Sequence, residues 1–174
     1  MIRLIRAILL MTLFFESVGA VLSFLVFAQD YPPLKAMEIS IFHAIAAFNN
    51  SGFDILGGLQ NLIPYQSDVL LNLVTCGLII FGGLGFLVIL DVLKMRSFKK
   101  LCLHSKVVIT TSAILLVVGT LLLKVTENIS WLGAFFQSVS ARTAGFSTYP
   151  IGEFSNAGLF TLAMLIDVYK RQGI

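Results

Sequence analysis

The stretch Phe48-Asn49-Asn50-Ser51-Gly52-Phe53 decides how this chain is read. It is a small polar patch between long apolar segments. Its Asn and Gly residues accept positive φ, so a helix can end here and the chain can turn back. The helix that it ends is predicted from Glu38 to Phe48, with Glu38 in the first turn, where the helix dipole favours an acid. At about 1.5 Å per residue that helix is too short to cross a hydrocarbon core of about 30 Å. Between two spanning helices, a short apolar helix closing on a polar turn reads as a re-entrant pore loop. Taken alone, it also reads as a capped turn in an ordinary outer loop.

Working outward, 57% of the chain is hydrophobic and 12% charged, with a mean hydropathy of +0.94. The apolar residues come in long continuous blocks without period-2 alternation. They predict an all-α polytopic membrane protein and exclude a β-barrel. The net charge of +3 gives no reason to expect a nucleic-acid partner. Cys76 and Cys102 offer neither a disulfide framework nor metal-ligand spacing. His43 and His104 lie far apart, and no nucleophile–base or cofactor motif is visible, so an enzyme is not expected.

A first spanning helix is predicted from Leu4 to Ala28, with the carboxylate of Glu16 near its middle, and Asp30-Tyr31-Pro32-Pro33 ends it. After the polar patch, a second long helix is predicted from Asp68 to Leu90. Its glycines in Phe81-Gly82-Gly83-Leu84-Gly85-Phe86 are read as sites of close helix packing rather than as a hinge. From Asp91 to Lys106 the chain carries Lys94, Arg96, Lys99, Lys100 and Lys106, the signature of a cytoplasmic loop. Arg3 and Arg6 put the N-terminus on that same side and the polar turns outside. A third long helix is predicted from Val107 to Leu123. A second short one follows from Ser130, its N-cap, to Ser140, and leads into Ala141-Arg142-Thr143-Ala144-Gly145-Phe146-Ser147. A last helix begins between Glu153 and Ala157 and is expected to stop at Ile166.

The order helix, short helix, Gly-Phe turn, helix thus occurs twice in the same direction, and Gly52-Phe53 aligns on Gly145-Phe146. Two parallel copies are hard to explain as unrelated outer loops. A short helix aims its partly negative C-terminal end at the membrane interior, and the carbonyls after it can replace a cation's hydration shell. No carboxylate lies inside either turn, so the site expected is one of neutral oxygens, suited to a large monovalent cation rather than Mg²⁺ or Ca²⁺. The candidate ion-binding residues are Asn49, Asn50, Ser51, Gly52, Thr143, Ala144 and Gly145, with the backbone carbonyls of Asn50 to Gly52 and Thr143 to Gly145 as ligands. Phe53 and Phe146 are expected to anchor the turns from behind. Arg142 is expected to act as a structural clamp rather than a barrier.

These residues resemble a family. Phe42-His43-Ala44 with Ala47-Phe48-Asn49-Asn50-Ser51-Gly52-Phe53-Asp54 is similar to the second pore loop of the Ktr/Trk/HKT superfamily of potassium transporters, and Arg142-Thr143-Ala144-Gly145-Phe146-Ser147-Thr148 to its third. Gly82-Gly83-Leu84-Gly85-Phe86 matches the helix after the second loop, and the likeness is greatest to the bacterial Ktr-type membrane subunit. The resemblance implies four helix–pore-loop–helix units around one pore, of which 1–105 and 106–166 would be two. It also implies a homodimer in the plasma membrane, a cytoplasmic nucleotide-binding regulatory subunit, and uptake of K⁺ that is often sensitive to Na⁺. The chain is then expected to be a fragment that lacks the other half of its pore. The segment Asp167-Val168-Tyr169-Lys170-Arg171-Gln172 resembles the translation of a transposon end used in preparing sequencing libraries, so 167–174 is expected to be a non-native tail. The competing hypothesis is a non-conducting membrane scaffold whose polar turns merely cap helices.

Overall fold

The computed structural model describes residues 2–58 and 60–170. Seven α-helices form it: α1 (Ile2–Phe27), α2 (Pro33–Phe48), α3 (Val69–Leu84), α4 (Phe86–Met95), α5 (Leu103–Thr126), α6 (Trp131–Thr143) and α7 (Asn156–Lys170). Among the described residues there is no strand, and the all-α membrane fold expected from the apolar blocks is the one observed. Leu4–Phe27 and Leu103–Thr126 are each long and apolar enough to cross a bilayer. Large apolar side chains such as Leu9, Leu10, Leu13, Phe14 and Val21 stand exposed along α1. In lipid such a surface is solvated rather than stranded.

The chain dips and returns twice. Helix α2 runs back along α1, with Phe27 edge-on to His43 at 5.9 Å and Phe15 stacked on Phe48 at 5.8 Å. After the polar turn the chain climbs back to the level where α1 ended. There Tyr65 packs edge-on to Phe27 at 5.2 Å and donates from its hydroxyl to Asp30 Oδ2 at 2.8 Å. Burial, then the Asp30 carboxylate, hold the Tyr65 phenol well above its ordinary range. Only then does α3 descend, capped by Asp68 accepting from the Leu71 N–H at 2.7 Å, until Phe81 stacks on Phe15 at 4.7 Å. The second half does the same. Helix α6 starts at the N-cap Ser130, which accepts from the Gly133 N–H at 3.0 Å, as expected from the sequence. After its turn the chain returns to Tyr149, beside Ser130 at 3.3 Å. It then reaches Ser155, whose N–H and hydroxyl both donate to Glu127 at the end of α5, at 2.9 and 2.6 Å.

Several boundaries differ from expectation, each for a physical reason. Helix α2 begins at Pro33, not Glu38, because proline at N1 has its φ preset and no amide to leave unpaired; its first turn therefore contains no acid. The helix expected from Asp68 to Leu90 is broken at Gly85 (φ +82°, ψ 145°), where α4 turns away from α3 by 94°. The glycines divide the work. Gly82 is a packing site, since a Cβ there would stand 1.8 Å from the Phe48 carbonyl oxygen, whereas Gly85 has open space around it and supplies the break. The segment expected as a loop from Asp91 to Lys106 is largely helical. Helix α4 runs to Met95 and ends on Arg96 in the left-handed region, and α5 starts at Leu103 and continues past Leu123 to Thr126. What joins α4 to α5 is short and tied by the Cys102 N–H to Asp91 Oδ2 at 2.9 Å. Helix α7 passes the stop expected at Ile166 and reaches Lys170; the expected tail from 171 to 174 lies outside the described residues.

One core joins the two halves. Phe27, Phe48, Leu71 and Ile79 from the first pack in the same cluster as Phe136, Val139, Ala144 and Phe146 from the second. A smaller cluster of Leu123, Ile129, Ala134, Phe154, Leu162 and Leu165 holds α5, α6 and α7 together. Helix α3 packs on both α2 and α6, so the two short helices end near each other.

Candidate functional site

The first turn is built by a helix ending whose hydrogen bonds are fully assigned. Asn50 takes φ 52°, its N–H donates to Ala47 O at 3.2 Å, and the Ser51 N–H donates to Ala46 O at 3.0 Å. This is the Schellman pattern, with Asn in place of the usual Gly at the left-handed position. The Ser51 hydroxyl donates to the same Ala46 carbonyl at 3.0 Å. Asn49 donates from Nδ2 to Ile45 O at 2.9 Å and to Glu16 Oε1 at 3.2 Å, so the carboxylate singled out in the first spanning helix holds the first residue of the turn. Gly52 then takes φ +63°.

The second turn closes differently. Ala144 remains in the right-handed region, and the N–H groups of Ala144 and Gly145 both donate to Ser140 O, at 2.9 and 3.2 Å. Gly145 takes φ +76°. Behind it the Ser140 hydroxyl donates to Phe146 O at 2.5 Å, and Gln137 donates from Nε2 to Ser147 Oγ at 2.8 Å, both buried.

The fold brings the turns together. A Cβ built on Gly52 would stand 2.1 Å from Ala144 O, and one built on Gly145 would stand 4.0 Å from Gly52 Cα. Thr143 Oγ1 lies 3.3 Å from Asn50 Oδ1 and donates to it. Across the same join the Leu62 N–H donates to Ser147 O at 3.0 Å, and the Ser147 N–H to Asn61 Oδ1 at 3.2 Å. Among the described residues, the carbonyls of Ser51, Gly52, Ala144 and Gly145 accept no backbone hydrogen bond. Carbonyls left over in this way need another donor or a cation. Two helix C-termini, each carrying about half a negative charge, converge on the same place.

The supporting residues are not equivalent. Phe146 is 1% exposed and edge-on to His43 at 5.7 Å, behind the second turn. Phe53 is 60% exposed, with its ring 6.3 Å from that of Phe42. Arg142 is 6% exposed and lines a small cavity with Ile79, Ile80, Gly83, Leu84, Ser112 and Thr143.

His43, in the Phe42-His43-Ala44 run of the first short helix, is fully buried, with Nε2 2.8 Å from Thr75 Oγ1. The Thr75 hydroxyl gives its own proton to Leu71 O at 2.7 Å, so His43 must donate from Nε2 and keep Nδ1 as the bare nitrogen. It ties α2 to α3 while packing on Phe27 of α1 and Phe146 of the second turn. Asn61 and Thr75 have no counterpart in the sequence argument. Each is an ordinary polar residue in a loop or helix until the fold supplies its partner.

The TrkH family profile, described as a cation transport protein, matches residues 1–110 and 103–170. The chain is 37% identical over 183 residues to the potassium/sodium uptake protein NtpJ of Enterococcus hirae, covering 99% of this chain and 40% of that protein. It is 34% identical over 178 residues to the Ktr system potassium uptake protein B of Vibrio alginolyticus, and 33% identical over 177 residues to that of Bacillus subtilis. Each of these two alignments covers 94% of this chain and 39% of the relative. The chain therefore spans about two fifths of the length of these relatives.

Proposed function

We propose, for a chain that belongs to the TrkH family of cation transport proteins, that its two polar turns form adjoining walls of a K⁺ uptake pathway. The observation that carries this reading is the meeting of the turns. Left-handed Gly52 and Gly145 face each other at the ends of two short helices, beside carbonyls that accept no backbone hydrogen bond. The ligands are neutral oxygens, so the ion is held by several weak dipoles and can leave again, as conduction requires. A larger, more easily dehydrated cation such as K⁺ suits that field better than a divalent one, and Na⁺ is its natural competitor.

The chain supplies 1–105 and 106–166 as two helix–pore-loop–helix units, and the relatives' greater length supports a complete protein with four. Placing the basic join between α4 and α5 in the cytoplasm puts both re-entrant turns on the outer side. A homodimer and a cytoplasmic nucleotide-binding regulatory subunit complete the proposal; the relatives named as parts of a Ktr system are consistent with such partners. A scaffold function would leave the approach of two carbonyl sets that accept no backbone hydrogen bond without a purpose.

The test is growth of a cell deficient in K⁺ uptake, at low external K⁺, with the protein expressed from its complete reading frame. Rescue that is lost on Gly52→Asp or Gly145→Asp is expected. No rescue by a correctly inserted wild-type protein would contradict the assignment.

A further inference from the structure

The contact between Thr143 and Asn50 joins residues at equivalent places in the two halves. They are 93 positions apart, the same separation as Gly52 and Gly145, so repeat-equivalent side chains meet directly across the boundary between units. Their backbones are not equivalent. Asn50 is already past the end of α2 in the left-handed region, while Thr143 is still the last residue of α6. Helix α2 ends two residues earlier than α6 in the repeat register, and the hydroxyl of one residue reaches the amide oxygen of the other.

The other end of the Asn50 amide lies against α3. Its Nδ2 faces Gly82 of α3, 3.4 Å from where a Cβ on that glycine would stand. The same glycine lies against Phe48 O. Asn50 is thus held between α3 and α6, and a swing of its side chain would move either the Schellman turn or the second helix end. Immediately beyond the pair, Gly52 approaches Ala144 O too closely for any side chain. The separation of the two carbonyl sets therefore depends on what fixes Asn50 and Thr143.

We propose that the Thr143–Asn50 hydrogen bond is a clasp between units that sets the spacing of the carbonyl oxygens, making these two side chains specificity-determining residues for K⁺ over Na⁺. The clasp rests on the cation-pathway reading given above. Its role is distinct from ligation by the backbone, because it acts through side chains that hold the walls at a fixed distance. Loosening it lets the carbonyls close on a smaller ion, so the K⁺/Na⁺ ratio falls.

The experiment uses the protein expressed from its complete reading frame and reads rubidium and sodium uptake in parallel. Thr143→Val keeps the shape and removes the donor, Asn50→Ala removes the acceptor, and Thr143→Ser restores the hydroxyl. Thr143→Val is expected to lower the K⁺/Na⁺ ratio about fivefold, the factor that the typical net value of one hydrogen bond corresponds to. Thr143→Ser should recover the wild-type ratio. The double variant should be no worse than the more severe single one, since both remove the same contact. Unchanged selectivity in Thr143→Val, or full additivity in the double variant, would overturn the clasp while leaving the transport reading standing. If Thr143→Val fails to insert, Thr143→Ala against Thr143→Ser decides the matter by the same ratio. A wild-type protein that moves neither ion would overturn the transport reading and the clasp with it.

Discussion

Gly52 and Gly145 occupy equivalent places in the two turns, yet a methyl group added to each meets different surroundings. At Gly52 it would stand 2.1 Å from Ala144 O, a backbone atom that cannot step aside; at Gly145 nothing lies closer than 4.0 Å. Both would suffer the left-handed backbone penalty of about 1–2 kcal/mol, but only Gly52→Ala must also separate the turns. Rubidium uptake is therefore expected to be abolished in Gly52→Ala and measurably retained in Gly145→Ala. Equal loss in both would mean that the turns do not meet as described. The two glycines were legible as a pair from the repeat alone. Their inequality was not, because it depends on which turn presents a carbonyl to the other.

Among the elements, α3 gives the clearest test of how glycine is used. Gly82→Ala places a Cβ 1.8 Å from Phe48 O, whereas Gly77→Ala meets nothing within 4 Å in the same helix. Thermal unfolding in detergent should show Gly82→Ala destabilised by about 1–3 kcal/mol, the usual cost of overpacking. Gly77→Ala should be neutral or stabilised by up to about 1 kcal/mol, because alanine is the better helix former. Sequence pattern separates these roles poorly. Close packing at Gly82 and the break at Gly85 both select glycine, and only the folded backbone distinguishes them, by the space for a Cβ and the 94° turn into α4. The Ser130 cap was legible because its hydrogen bond is local, and so was the order of long and short helices. The contacts of Asn61 with Ser147 and of His43 with Thr75 were not, since the partners lie far away in sequence.

The loop that returns the chain from the first turn carries its own pH signal. Tyr65, half-buried against Phe27 and donating to Asp30, has its phenol value raised in the folded protein. A raised value means that this contribution to stability is complete below the unfolded phenol value of about 10 and is lost as pH rises through the folded one. Above about pH 10 the melting temperature should therefore fall more steeply with pH in the wild type than in Tyr65→Phe. Identical slopes would show that the Tyr65–Asp30 contact does not form.

At the scale of the whole molecule, the two short helices and their turns share one core, and that core lies directly behind the join between the turns. Apolar surface along α1 and α5 faces outward, as lipid contact requires. In the proposed pathway neither half is a site alone. Each supplies one helix terminus and one set of carbonyls, and the matched relatives are long enough to supply more. The most direct measurement is the anomalous scattering of rubidium bound to the protein expressed from its complete reading frame. The proposed pathway predicts a peak between the Ser51–Gly52 and Ala144–Gly145 carbonyls. A rubidium-loaded crystal with ordered turns and no peak there would contradict it.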